Sequence, residues 1–203
     1  SGKIDIHNGV GNLGTYSYAA TSRTVAEVLQ CSWDSCEIVH ARTDKHLPHS
    51  SVQGGSNTIF THSRSNYVAA MDALNKLKEI AGADFGGTVE EYSIGDERVF
   101  RTDDSSKGMS YGEAAQRAIE LGGHYSGQEY PEDLNPITQR AVTALAGSGL
   151  IGAAKDNLER KGTPPGEIIG FMEIEIDADT GKIEVTDYLA VADCGTIMHP
   201  QGF

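Results

Sequence analysis

A glycine-rich turn near the start of the chain constrains the fold more than any other feature. Gly9, Gly11 and Gly14 follow Lys3–His7, in which apolar and polar residues alternate as in a strand with one wet face. Residues 16–30 contain no glycine or proline and carry spaced apolar side chains, which favours a helix. The sequence therefore predicts a strand–turn–helix unit whose glycines let the backbone approach a neighbouring group closely.

This turn has three interpretations. Its Gly-x-Gly-x-x-Gly spacing matches a dinucleotide fingerprint, which would make this an NAD-binding domain. However, Asp5 and His7 interrupt the strand, whereas the first strand of such a domain is nearly continuous in apolar residues. The second interpretation is a tight turn that needs glycine for its backbone conformation. The third is a binding loop for a different phosphate-bearing cofactor. The motif by itself does not choose among them.

The rest of the chain predicts short helices and strands. The expected helices are Ser63–Ala81 and Tyr111–Leu121, the second with a Ser110–Glu113 capping box. The expected strands are Glu37–His40, a hairpin of Val89–Tyr92 with Arg98–Arg101, and a hairpin of Phe171–Asp177 with Lys182–Ala192. His46–Thr61 is expected to be a loop rich in polar residues, and Gly122–Gly166 an irregular segment. Together they predict an α+β fold with helices on small, mainly antiparallel sheets. Residues 1–203 would form one partial domain, or two lobes of about 1–85 and 86–203.

The charge balance limits the partners. Asp and Glu total 29 against 16 Lys and Arg, which gives a net charge of -13. Such a chain repels the phosphates of nucleic acid and anionic lipid, and no apolar stretch approaches the ~20 residues that span a bilayer. We therefore expect no nucleic-acid partner and no membrane span. A phosphate-bearing ligand must be held by local donors such as backbone N–H groups.

The cysteines do not form a recognisable framework. Cys31, Cys36 and Cys194 are too few for an iron–sulfur cluster and odd in number, so free thiols are expected. Free thiols favour a reducing compartment, the cytoplasm, with the periplasm as the alternative.

Two patterns could suggest metals. His46 and His49, with Asp44 nearby, resemble part of a zinc site but lack a third ligand at metal spacing. The Asp-x-Asp-x-Gly pattern at residues 177–181 is too short for a calcium loop, so a hairpin turn is expected there.

Three separated segments occur in an order that points to a known family. Gly9–Ser17, followed by Thr24–Leu29, is similar to the strand, glycine loop and helix of the molybdopterin-binding subunit of the xanthine dehydrogenase and aldehyde oxidase family. Ser51–Thr58 resembles that family's Ser/Thr/Gly loop, which precedes an alanine-bearing helix. Glu175–Pro200 is similar to its terminal hairpin and strand end. Together these segments span nearly the whole chain.

The resemblance implies a molybdenum-cofactor-binding portion of such an enzyme, as a fragment or a split subunit. In that family the protein grips a molybdenum-pyranopterin, for which the cytosine dinucleotide form is one alternative, through backbone N–H groups and short polar side chains. By this match we expect cofactor contacts at Asn12, Leu13, Gly14, Thr15, Gln53, Gly54, Gly55, Ser56 and Thr58. Tyr16 departs from the family, which usually has a glycine there.

The resemblance also implies an activity. The parent enzyme would oxidatively hydroxylate a heteroaromatic or aldehyde substrate, with water as the oxygen source. The family's catalytic glutamate has no counterpart in residues 1–203, so no catalytic residue or metal ligand is assigned and the chain alone is expected to be inactive. Expected partners are the remainder of the molybdopterin subunit, iron–sulfur and FAD domains or subunits, and a small-molecule substrate. The alternatives are the NAD-binding domain above and a non-catalytic interaction module.

Overall fold

A computed structural model describes residues 2–40, 47–162 and 166–202. The chain divides into two compact units, Ser1–Leu158 and Glu159–Gln201. None of the helices in the described ranges combines the length and apolarity that a membrane crossing requires.

The glycine-rich turn lies in a β–α–β unit. Strand β1 (Ile4–Asn8) leads into the turn, helix α1 (Ser17–Val28) follows it, and strand β2 (Cys36–His40) comes after a 3₁₀ turn at Trp33–Ser35. β1 and β2 pair in parallel, with Ile4 beside Cys36 and Asn8 beside His40. A parallel pair needs a crossover connection, and α1 provides it. The predicted strand–turn–helix unit is confirmed.

Helix α2 (Thr58–Phe85) is the longest element, with 28 residues. It extends beyond the predicted Ser63–Ala81 at both ends, and it passes through Gly82, where a Cβ would lie 3.1 Å from the carbonyl oxygen of Gly87. The helix ends at Gly86, whose φ of 78° favours glycine.

A small antiparallel sheet follows, made of β3 (Tyr92–Gly95), β4 (Arg98–Arg101) and β5 (Gly108–Ser110). The predicted hairpin is confirmed, but its first strand is shifted because Val89–Glu91 forms a 3₁₀ turn. The left-handed pair Asp96 and Glu97, with φ of 50° and 57°, makes the connecting turn.

Helix α3 (Tyr111–Leu121) begins directly after β5 and has the predicted limits. Its capping box is present: the Ser110 side chain accepts the backbone N–H of Glu113, and the Glu113 carboxylate accepts the backbone N–H of Ser110. These two hydrogen bonds between Ser110 and Glu113 end β5 and begin α3.

One hydrophobic core joins β1, α1, α2, the antiparallel sheet and α3. Its buried members include Ile6, Val25, Leu77, Val99 and Ala118. Because α2 shares this core with residues 92–118, the boundary between compact units falls after Leu158 and not near residue 85, where the two-lobe alternative put it.

The segment predicted to be irregular contains one helix, α4 (Pro136–Leu145). Asn135 caps it by accepting the backbone N–H of Ile137, and Pro136 occupies the first turn, where its missing N–H is harmless. Residues that follow α4 run along α2, where Gly152 is pressed so closely that a Cβ would lie 2.4 Å from the carbonyl oxygen of Ala69.

The second unit holds the predicted terminal hairpin, which is longer than expected. Strands β6 (Glu167–Ile176) and β7 (Ile183–Asp193) pair antiparallel, with an irregularity between Glu173 and Ile174. The Asp177 carboxylate accepts the backbone N–H groups of Asp179 and Thr180, which lowers the pKa of that carboxyl. The Asp-x-Asp-x-Gly pattern is therefore a hairpin turn, as expected. Among the described residues three of the four strand pairings are antiparallel, which confirms the predicted fold class.

Candidate functional site

Two loops of the first unit meet, one directly after β1 and the other directly before α2. We call residues 9–16, after β1, the glycine loop and residues 47–57, before α2, the polar loop. The Ser50 hydroxyl donates to the carbonyl oxygen of Gly9 at 3.0 Å, and the Gln53 side-chain amide donates to that of Gly11 at 3.0 Å. Ligands in open α/β units bind beyond the carboxyl ends of the strands, and the glycine loop begins at the carboxyl end of β1.

The first two glycines of the glycine loop serve this contact. A Cβ on Gly9 would lie 2.7 Å from the carbonyl oxygen of Pro48, and one on Gly11 would lie 3.2 Å from Oε1 of Gln53. Gly14 differs, because its φ is +77° and nothing lies within 4 Å of the added Cβ. The glycines therefore have two functions: two admit the polar loop, and the third forms a left-handed turn beside open space.

Both helices that follow these loops begin without a side-chain cap. At α1, Tyr16 has the left-handed φ of 51° and makes no cap hydrogen bond; at α2, Asn57 makes none either. The first N–H groups of a helix lack intrahelical partners and carry the positive end of its dipole. The glycine loop and the polar loop thus each lead into a helix start suited to an anion. The backbone at Tyr16 is left-handed, a conformation that favours glycine.

All nine predicted contact residues lie on the two loops or on the first residue of α2. Two of their side chains already hold the loops in shape: Asn12 accepts the backbone N–H of Gly14 at 2.9 Å, and Gln53 bridges to the glycine loop. Thr15 donates to the Ser17 hydroxyl at 3.1 Å, and Leu13 is largely exposed. Gly54 and Gly55 face open space, with nothing within 4 Å of an added Cβ.

Four further polar side chains near the polar loop were not predicted. Ser51 lies in the loop, and Thr61, His62 and Asn66 lie in the first turns of α2; each has a buried nitrogen or oxygen with no hydrogen-bond partner among the described residues. An unpaired buried polar atom costs about 1–3 kcal/mol, so such atoms mark places where a ligand or ordered water binds. Only burial identifies this set, and burial is not visible in the sequence.

His62 is the most constrained of the four, at 7% exposure. Burial lowers the pKa of its imidazole, and His49 nearby lowers it further. The ring is therefore neutral at pH 7 and can either donate or accept a hydrogen bond.

The zinc hypothesis gains no support. Asp44 and His46 lie outside the described residues, and the backbone N–H of His49 donates to the Thr138 hydroxyl at 3.0 Å. Within the described ranges no three His, Cys, Asp or Glu side chains are grouped so as to hold a metal ion.

The donor set fits the expected cofactor. The glycine loop and the polar loop contain no Lys or Arg, so an anion there would meet backbone N–H groups, hydroxyls and amides. Such groups can hold a phosphate without bulk, as in other backbone-lined anion sites.

This fold and these loops define a cofactor-binding domain, and sequence comparison names its family. The chain matches the molybdopterin cofactor-binding domain over residues 1–203. It therefore belongs to that family, which confirms the resemblance to the molybdopterin-binding part of xanthine-dehydrogenase-type enzymes.

Individual relatives agree with this assignment. The probable hypoxanthine oxidase XdhD of Escherichia coli K12 is 22% identical over 201 residues, which cover 98% of this chain and 18% of the relative. The reconstituted CO dehydrogenase from Oligotropha carboxidovorans superposes with a TM-score of 0.62 at 20% identity, covering 98% of this chain and 23% of that one. Quinoline 2-oxidoreductase from Pseudomonas putida 86 superposes with a TM-score of 0.56 at 19% identity, covering 96% of this chain and 22% of that one. The chain thus spans only about a fifth of the length of these proteins.

Proposed function

We propose that the glycine loop and the polar loop grip the phosphate end of a molybdenum-pyranopterin within a larger molybdenum hydroxylase. The observation that carries the proposal is the pair of bonds that join the loops, from Ser50 to Gly9 and from Gln53 to Gly11. Because of them, donors that are about 40 residues apart in sequence line a common edge. The family assignment supplies the identity of the cofactor.

Within this proposal the residues have different tasks. Gly54 and Gly55 present backbone N–H groups before α2, where Ser56 adds its hydroxyl, and Leu13 and Thr15 present backbone N–H groups at the start of α1. Asn12 and Gln53 act chiefly by holding the loops together. Several neutral donors are needed because the net charge of -13 repels the cofactor's phosphate at long range.

When bound, the molybdenum cofactor supplies two-electron oxidation of a heteroaromatic or aldehyde carbon, with water as the source of oxygen. This chain's own task is to hold the phosphate end of the cofactor. We assign no general base to residues 1–203; a glutamate elsewhere in the protein supplies it, so this chain alone is inactive. Iron–sulfur and FAD groups on other domains or subunits carry the electrons away, and the cytosine dinucleotide remains one form of the cofactor.

The proposal places the enzyme in the cytoplasm, with the periplasm as the alternative. Its support is chemical: all three cysteines are free thiols in the structure, which a reducing compartment maintains.

The dinucleotide alternative has one observation in its favour, the parallel pairing of β1 with β2 around the fingerprint glycines. Against it, Gly9 and Gly11 are pressed against the polar loop, whereas in a dinucleotide site the glycines make room for a pyrophosphate. Titration calorimetry with NAD tests this alternative, and measurable binding would favour it.

Metal and pterin analysis of the complete enzyme tests the main proposal. Gln53→Ala and Ser56→Ala are expected to lower the molybdenum and pterin content per protein, and Gln116→Ala and Ser148→Ala, exposed positions away from the loops, are the matched controls. Normal occupancy in both loop variants would remove these residues from the site. A complete complex that purifies with its partners but without molybdenum or pterin would instead support a non-catalytic interaction module.

A further inference from the structure

A pair of thiols lies at the far end of the β–α–β unit from the glycine loop. Cys31 follows α1, Cys36 opens β2, and their sulfur atoms are 3.8 Å apart across the 3₁₀ turn Trp33–Ser35. Each is half-buried, and both pack on the hydrophobic core. The cofactor site uses neither of them.

The backbone holds the two sulfurs near each other. The N–H of Cys31 donates to the carbonyl oxygen of Ala26 at 3.1 Å, and Cys36 is fixed by its pairing with Ile4. Between them the Ser32 hydroxyl accepts the backbone N–H of Asp34 at 3.2 Å, which fixes the turn. A disulfide needs the sulfurs at about 2.05 Å, so side-chain rotation must close less than about 2 Å.

The two thiols are not equivalent. A hydrogen bond from Cys36 lowers the pKa of Cys31, whereas the same bond and burial raise the pKa of Cys36. The Glu97 carboxylate, which accepts a hydrogen bond from Ser35, opposes thiolate formation at both. Cys31 is thus the better nucleophile and Cys36 the thiol placed to respond to it.

We propose that Cys31 and Cys36 are a reversible dithiol–disulfide pair, oxidised by a peroxide and reduced by a dithiol. The Cys31 thiolate attacks one peroxide oxygen; the O–O bond breaks, and Cys31 becomes a sulfenic acid as the other oxygen leaves as water. The Cys36 sulfur then attacks the Cys31 sulfur, the S–S bond forms, and a second water leaves. Two thiols and one hydrogen peroxide thereby give one disulfide and two waters. A dithiol returns the pair to its reduced form by thiol–disulfide exchange.

Peptide mapping after treatment with hydrogen peroxide tests this directly. Trypsin should release residues 24–42 as one peptide that contains both cysteines but not Cys194. After oxidation and blocking with iodoacetamide, we expect that peptide to be unlabelled and lighter by two hydrogens than the reduced form. Treatment with dithiothreitol before blocking should restore two labels.

Controls separate the pair from general thiol oxidation. Cys194→Ser should leave the result unchanged, whereas Cys36→Ser should retain a trappable sulfenic acid at Cys31. The native protein should also form the bond faster than the same chain in urea, because folding brings the sulfurs together. The proposal is overturned if both cysteines remain labelled after peroxide, or if the disulfide that forms joins either of them to Cys194.

Discussion

Gly9→Ala tests the central geometric claim, that the glycine loop and the polar loop are pressed together. The new Cβ would lie 2.7 Å from the carbonyl oxygen of Pro48 and 3.1 Å from Cβ of Ser50. The first distance is shorter than a Cβ tolerates and the second is tight, so the polar loop must move away, and the Ser50–Gly9 hydrogen bond is lost with it.

The size of the effect follows from these contacts. Overpacking contributes about 1–3 kcal/mol of destabilisation and the lost hydrogen bond about 0.5–1.5 kcal/mol. Alanine also reduces the conformational freedom of the unfolded chain, which offsets about 0.4–1 kcal/mol of this destabilisation. The free energy of unfolding should therefore fall by about 0.5–4 kcal/mol.

Urea unfolding of the chain measures this change. Trp33 is the single tryptophan and packs on the core of the first compact unit, so its fluorescence reports on that unit. Gly149→Ala is the matched control, because its added Cβ meets nothing within 4 Å, and it should keep or raise stability, by up to about 1 kcal/mol. If Gly9→Ala were as stable as this control, the close approach of the loops would be refuted. In the complete enzyme the same variant should also lose molybdenum.

Two further predictions use the same unfolding assay. Asp72→Ala leaves the buried Lys76 ammonium without its partner at 2.7 Å and the backbone N–H of Ala153 without its acceptor, so we expect a loss of about 2–4 kcal/mol. Asp72→Ala/Lys76→Met should recover part of that loss, and no recovery would contradict the explanation. The pKa of His62 is lowered in the folded state. As the pH falls below about 6.5, the unfolded chain therefore takes up a proton before the folded chain does, and the wild type loses stability. Above that pH the imidazole is neutral in both states and has no such effect. His62→Gln should show a smaller loss between about pH 7.5 and pH 5.5; an equal loss would exclude this histidine as a cause.

Features governed by neighbouring residues could be predicted from the sequence. The Ser110–Glu113 capping box set the start of α3, and the turn at Asp177 set the terminal hairpin. In both cases the groups that form the structure lie within a few residues of one another, so their spacing carries the information.

Features that depend on distant contacts could not be predicted. β5 exists because Gly108 allows β4 to approach; a Cβ there would lie 2.4 Å from the carbonyl oxygen of Val99. The parallel pairing of β1 with β2 joins residues that are separated by a whole helix, and polar Asp5 and His7 concealed it. Pairings of this kind are set by the shared core and not by local pattern.

The candidate site shows the same division. The glycine loop and the polar loop were recognisable by composition, whereas the nine residues proposed on them came from the family resemblance. That Gly9 and Gly11 contact the polar loop, and that His62 and Asn66 carry unpaired buried nitrogens, depends on packing across the unit. Family resemblance supplied the proposed location of the site, whereas the contacts between the loops required the structure.

The terminal hairpin has a thermodynamic consequence. Every residue of β6 and β7 is exposed, including Ile168, Phe171, Ile183 and Leu189, so this ribbon buries little apolar surface of its own. A two-stranded ribbon by itself is only marginally stable in water. Its amides should therefore exchange with deuterium far sooner than those of α2, and its melting should add little to the heat-capacity change of the chain. Most of the measurable cooperativity of these 203 residues therefore resides in the unit that carries the two loops.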